Sequence, residues 1–434
     1  MKNTGNNIQT ENNNIKRYTT EKLVLENGIT LLLEPVDFFE TVSVGVWINS
    51  GSKDETKEEN GYAHLIEHML FKGTDTRNAL ELSKEIDRVG GYMNAFTTRE
   101  YTCFYVNMVS KHINVGIDVL ADMILNSKFD QTELEREKQV IIEEIRMYDD
   151  APDQLVHDLF IENIWRGNPV GRPILGTVKN IKSVSRDKVM GFYESNYFGD
   201  NVIVSVAGRY NRQNVIDKIS SIKFKNQLRE KKAYIPKNLH YDLKYKEKGI
   251  EQVYFCYGFN GLSKIDEKRY KLFVFSTLFG GGTSSRLYQK IRETLGLCYS
   301  IYSFNASFMN DGVFGIYSVT NPENFEKLFN EVRNEASDIL SGNITEEELF
   351  IAKEQIKGNI IFSKESLEAR MNRNAKNEMI FGREITYQEA IENIEAVTVE
   401  DIKEIGSYLF LDSKRSLFSV CPKGYGKKLE NLTI

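Results

Sequence analysis

The chain has 434 residues, 41% of them hydrophobic and 27% charged, and carries a formal net charge of -6 at pH 7. Its length exceeds what one hydrophobic core usually serves, so at least two domains are expected. The acidic balance and the lack of a dense basic stripe exclude general nucleic-acid binding, and no apolar run is long enough to cross a bilayer, so no membrane partner is expected.

Residues 1–20, "MKNTGNNIQTENNNIKRYTT", are polar and rich in Asn. They lack the apolar stretch of a signal peptide and read as a disordered leader. The four cysteines, Cys103, Cys256, Cys298 and Cys421, stand too far apart for a zinc ribbon or a redox dithiol. They read as buried thiols of a reducing compartment, which places the protein in the cytoplasm.

After a β-branched strand, "TVSVGVWI" (41–48), comes "NGYAHLIEHMLFKGT" (60–74). At about 100° per residue, a helix here gathers His64, Glu67 and His68 into one arc of roughly 100°. Leu65, Ile66, Met69 and Leu70 fill the rest of the circumference, so the helix is buried. Two imidazoles and a carboxylate are costly to bury unless something satisfies them, and a divalent metal does so. Two of the chain's five histidines are used in this way, four positions apart. Zinc accepts imidazole nitrogen and carboxylate oxygen, and a catalytic site uses three protein ligands. We therefore assign His64 and His68 as ligands and Glu67 as the base beside the ion, taking the proton of the attacking water.

A second strand, "TCFYVNM" (102–108), precedes the acidic helix "TELEREKQVIIEEIRMYDD" (132–150). With Ile141 at zero, Leu134, Ile145 and Tyr148 lie within about 40° and define a buried stripe, while Glu144 and Glu137 lie within roughly 60° of it. Glu143 points the opposite way. We assign Glu144 as the third ligand and Glu137 as the group whose hydrogen bond orients the site; the alternative is that both are salt-bridged structural carboxylates.

The charged segment 225–241, "KNQLREKKAYIPKNLHY", suits a linker between a first domain, 21–224, and a second, 242–428. The second opens with strands "EQVYFCYGF" (251–259) and "GVFGIYSV" (312–319), and it repeats the first. Thus 132–145 matches 346–360, 181–189 matches 394–402 and 204–208 matches 418–422, all at an offset between 213 and 215. In the copy, Leu272, Phe275, Ser276 and Asn359 stand where His64, Glu67, His68 and Glu144 stand in the first half, so it has no metal site. The Gly-rich "FGGGTSSRLYQ" (279–289) lacks the phosphate-loop pattern and reads as a turn or flexible lip.

His64-x-x-Glu67-His68, with Glu144 76 positions after the second histidine and Glu137 seven before Glu144, resembles the inverted zinc signature of the pitrilysin, insulysin and mitochondrial processing peptidase family. The blocks "NGITLLLEP", "GSKDE", "HMLFKGT" and "GGYMNAFTTREYT" resemble family landmarks in order, and the similarity runs from about residue 21 to 425. The resemblance implies an α/β (α+β) fold of two homologous domains, each a mostly antiparallel sheet packed with helices, facing each other across a chamber. It implies one Zn2+ per chain and a metalloendopeptidase acting on peptides or unfolded polypeptide. It also implies that Arg292 and Tyr299 of "RETLGLCY" stabilise the oxyanion, that Asn94 and Ala95 pair with the substrate backbone, and that Phe71 lines the pocket after the scissile bond. The short bacterial relatives imply a homodimer, or a heterodimer with a related chain. The alternative function is a non-catalytic or partner-dependent subunit of such a heterodimer.

Overall fold

A computed structural model describes residues 19–224 and 239–432. Residues 1–18 of the expected leader and 225–238 of the expected linker lie outside the described residues. The first half builds a six-stranded sheet from β1 (Glu21–Val24), β2 (Thr30–Pro35), β3 (Thr41–Ile48), β4 (Tyr92–Thr97), β5 (Thr102–Val109) and β6 (Val202–Gly208), in the order β1-β2-β6-β3-β5-β4. The second builds a five-stranded sheet from β7 (Leu243–Lys248), β8 (Val253–Asn260), β9 (Ser300–Ser307), β10 (Gly312–Thr320) and β11 (Arg415–Pro422), in the order β7-β11-β8-β10-β9.

The duplication expected from sequence is therefore a duplication of topology. The order β2-β6-β3-β5-β4 recurs as β7-β11-β8-β10-β9, and in each sheet the first of these pairs, β2/β6 or β7/β11, is parallel while the rest are antiparallel. In the first half, Val42, Val44, Val46, Val204 and Val206 turn one face of the sheet toward its own helices, among them Tyr62–Leu70 and Gln131–Asp149.

The opposite faces are buried as well, each by a helix from the other half. Helix Leu367–Phe381 packs on β3 and β6, where Met371 and Ala375 meet Trp47, Cys103, Tyr105 and Ala207. Helix Pro152–Ile164 packs on β8 and β11, where Val156, Phe160 and Ile164 meet Cys256, Tyr317, Phe418 and Val420. This exchange explains why the central strands are apolar on both faces rather than alternating. It also requires a glycine on each central strand. A Cβ on Gly45 would lie 2.3 Å from Sδ of Met371, and one on Gly258 would lie 2.2 Å from Cζ of Phe160. The first exchange is pinned by a buried ion pair of Arg370 with Glu34, whose second oxygen accepts from Nδ2 of Asn374 at 2.7 Å.

The Gly-rich segment runs from the end of helix Arg269–Gly280 into a turn. A Cβ on Gly280 would meet the Ser303 amide at 2.5 Å, and one on Gly282 would meet the Gln355 side chain at 2.6 Å, so the glycines permit close approach. All four cysteines are free thiols, three of them buried and Cys298 half-buried. Among the described residues no helix is long and apolar enough to cross a membrane.

Candidate metal centre

The metal-site helix, Tyr62–Leu70, starts from Gly61, whose φ of +103° lies in the left-handed region. Its free amides are capped from a distance. The Glu55 carboxylate accepts from Gly61 N–H at 3.0 Å, Ala63 N–H at 2.8 Å and Nδ2 of Asn60 at 3.0 Å. Burial pushes Glu55 up to about 8, while these donors pull it down. The landmark "GSKDE" thus anchors the start of the helix. Its glycine, Gly51, faces the Thr98 carbonyl so closely that a Cβ would lie 2.4 Å away.

On this helix Tyr62, Ala63, Leu65, Ile66, Met69 and Leu70 are buried in the first core, and His64 is buried with them. Helix Gln131–Asp149 crosses beside it, N-capped by Asp130, whose side chain accepts from the amides of Thr132 and Glu133. The assigned ligands converge. His64, His68 and Glu144 each offer a donor atom within 4.8 Å of the others, the one such triad among the described residues. Nε2 of His64 lies 3.8 Å and Nε2 of His68 3.9 Å from Oε2 of Glu144. A tetrahedral zinc holds its donors about 3.4 Å apart, so these separations match to within roughly half an ångström.

Nδ1 of His68 faces Oε2 of Glu137 at 3.0 Å. That contact places the ring proton on Nδ1 and leaves Nε2 as a lone-pair donor toward the site. Nζ of Lys72 binds the other Glu137 oxygen at 2.7 Å. Burial opposes ionisation of Glu137, but the hydrogen bonds from His68 and Lys72 prevail and hold it below the usual carboxylate range. Burial, reinforced by His68, pushes His64 down to about 3, so it is neutral and able to ligate. Burial raises Glu144, partly offset by His68. Burial also raises Glu67, opposed by Thr97, whose Oγ1 donates to Oε2 of Glu67 at 2.5 Å.

A cavity of about 470 Å3 opens at His64, Glu67 and Glu144. Its walls come from residues 64–176 of the first half, including Ala95, Thr97, Ile145, Tyr148 and helix Pro152–Ile164. Ile145 and Tyr148, expected in the buried stripe, are half-buried because they line this cavity, whereas Ile142 and Lys138 take buried positions instead.

β4 is the free edge of its sheet. Ala95 N–H is bonded to Oδ1 of Asn94 at 2.9 Å rather than to β5, so its amide faces the open edge. Ala95 lines the cavity; Asn94 is exposed and also donates to the Tyr92 hydroxyl at 2.7 Å. Phe71 caps the end of the metal-site helix and packs toward Phe104, with ring centroids 6.4 Å apart, outside the cavity lining. Arg292 and Tyr299 meet each other, the guanidinium 4.8 Å from the ring centroid, and neither lines the cavity. Two contributors escaped sequence reasoning: Lys72, one turn beyond His68, and Thr97, two beyond Ala95 and so on the same strand face.

The fold and the convergent side chains together define a duplicated two-sheet protein in which, among the described residues, only the first half carries a candidate metal centre, built on an inverted His-x-x-Glu-His motif. Residues 32–178 match the model of Insulinase (Peptidase family M16), and residues 183–356 match that of the Peptidase M16 inactive domain. The chain is 38% identical over 94% of its length to the uncharacterized zinc protease YmxG of Bacillus subtilis, covering 99% of that protein. It is 33% identical over 89% of its length to an uncharacterized zinc protease of Streptomyces coelicolor, covering 86% of that protein. The chain therefore belongs to peptidase family M16. The same fold appears in a protease from Helicobacter pylori, with a TM-score of 0.86 at 22% identity over 93% of this chain and 100% of that one. A peptidase M16 inactive domain structure from Pseudomonas fluorescens gives 0.86 at 17% identity over 93% and 98%.

Proposed function

We propose that this protein is a zinc-dependent endopeptidase that hydrolyses peptides or unfolded segments, holding one zinc per chain through His64, His68 and Glu144. The observation that carries this reading is Glu67, a carboxylate at the cavity wall on the same helical arc as two convergent imidazoles. When bound, zinc supplies a Lewis acid that polarises the scissile carbonyl and acidifies water. The chain's own groups do the rest. The open edge of β4 takes an extended substrate backbone by strand addition, with Ala95 N–H as donor. Glu67, steadied by Thr97, takes the proton of the attacking water and returns it to the departing amine. Its raised proton affinity suits a group that must hold that proton between the two transfers. The family resemblance gives Arg292 and Tyr299, which pair with each other outside the cavity lining, the stabilisation of the developing oxyanion. The names of the zinc-protease relatives support the reading, and the four free thiols support a cytoplasmic site of action.

The test is metal analysis joined to cleavage of a mixed peptide library. Glu67→Gln should retain zinc and lose cleavage, and Arg292→Ala should lower kcat with zinc retained. Appreciable cleavage by Glu67→Gln removes the proposed base. A zinc-loaded wild-type chain that cleaves nothing until a related chain is added identifies a partner-dependent subunit instead.

A further inference from the structure

Helix Pro152–Ile164 has two opposite faces with different tasks. Leu155, Asp158, Leu159 and Glu162, spaced as one helical stripe, line the cavity beside the metal centre, with Leu155 also buried in the core on the second sheet and Leu159 packed against that core. Val156, Phe160 and Ile164, on the far side, are buried in the core built on the second sheet. One wall of the first half's cavity is thus seated on the second half.

We propose that the second half, which has no metal ligands, sets the width of the substrate cavity through the contact of Phe160 with Gly258, and that these residues are a positioning pair for substrate binding. The inference rests on the peptidase reading of the site. Phe160 is fully buried and meets Phe304 edge-on, with ring centroids 6.0 Å apart, so its ring has little freedom to swing aside. A Cβ at position 258 would lie 2.2 Å from its Cζ. Ordinary carbon contact needs about 3.6 Å, so relief calls for a shift of roughly 1.4 Å. The sheet behind β8 is closely packed, whereas the helix has open space on its cavity side, and the displacement goes that way. The metal ligands ride on two other helices and stay in place.

The internal duplication supplies the control. Gly45 receives Met371 as Gly258 receives Phe160, but helix Leu367–Phe381 contributes nothing to the cavity lining. A methyl at 45 disturbs an equivalent seat and reaches the cavity only indirectly, since it would also lie 2.8 Å from Nε1 of Trp47, whose ring meets the cavity-lining Phe96 edge-on at 5.6 Å.

Peptide-cleavage kinetics, zinc titration and thermal unfolding of wild type, Gly258→Ala, Gly45→Ala and the double variant Gly258→Ala/Phe160→Leu decide the matter. Gly258→Ala should raise KM about 3- to 10-fold with kcat within about twofold and zinc affinity unchanged. Phe160→Leu in the same chain, which withdraws the ring tip, should restore KM, and Gly45→Ala should lower Tm while moving KM less than Gly258→Ala does. An unchanged KM in Gly258→Ala, an equal rise in Gly45→Ala, or zinc affinity falling in step with KM overturns the proposal. If Gly258→Ala does not fold, Phe160→Leu alone should shift cleavage toward bulkier residues, and no shift overturns it. Should wild type hold zinc yet cleave no peptide, the peptidase reading fails separately; fluorescence anisotropy of labelled peptides on the same chains then tests the positioning pair, and equal affinities overturn it.

Discussion

Nδ1 of His68 lies 3.0 Å from Oε2 of Glu137, and the other oxygen of that carboxylate is held by Lys72 at 2.7 Å. This chain of contacts fixes both the tautomer and the ring plane of a proposed metal ligand from outside the ligand set. Glu137→Ala should weaken zinc binding by about 10- to 100-fold with little change in fold. Competition against a chromophoric chelator measures this, and wild-type affinity in the variant would show that Glu137 does not orient the ligand.

The Thr97 hydroxyl lowers the proton affinity of Glu67 against the effect of burial. Glu67 acts as a base only when ionised. Removing the donor in Thr97→Val raises its pKa further, so the acid limb of the kcat/KM profile should move to higher pH, with zinc content unchanged. A limb that stays put or moves down would contradict this assignment.

Asp122 anchors the turn that follows the metal-site helix, accepting from Thr74 at 2.6 Å, Thr76 at 2.9 Å and Arg77 at 2.8 Å. Burial opposes its ionisation, but the donors Thr74, Asn126, Arg77 and Thr76 prevail and hold it below its ordinary value. A depressed carboxylate contributes stability that is complete above its unfolded pKa, near 3.8, and that is lost as pH falls through the folded value. Asp122→Asn should cost about 2 kcal/mol at pH 7 and flatten the loss of stability in strong acid. Urea unfolding at neutral and acid pH reads both, and parallel curves for the two proteins would rule the effect out.

Zinc held as proposed by His64, His68 and Glu144 would stabilise the folded state by mass action. At free zinc about 100-fold above Kd the gain is about 2.7 kcal/mol. Adding a chelator should lower Tm in wild type and leave His64→Ala almost unmoved. Equal shifts in both would place the binding elsewhere.

The metal helix was legible because its pattern is local: i, i+3 and i+4 share an arc whatever surrounds them, and the apolar remainder announces burial. Glu144 was legible through helical phase, although nothing local brings it to His64. The same phase argument misplaced Ile145 and Tyr148, because a residue facing an internal cavity carries the same periodic signature as one facing the core. Arg292 and Tyr299, carried over by resemblance, lie against each other outside the cavity lining.

The sequence by itself determined the two repeats, the candidate ligands and the half that carries them, since these depend on residue identity and short-range geometry. Only the tertiary structure decided that the repeats exchange helices. Pro152–Ile164 is apolar toward its sheet and mixed toward the cavity, and no periodicity says which of two similar sheets receives it. Gly45 and Gly258 show the reason: each is required by a side chain more than ninety positions away, and contact at that separation is a property of packing, not of any local stretch of chain.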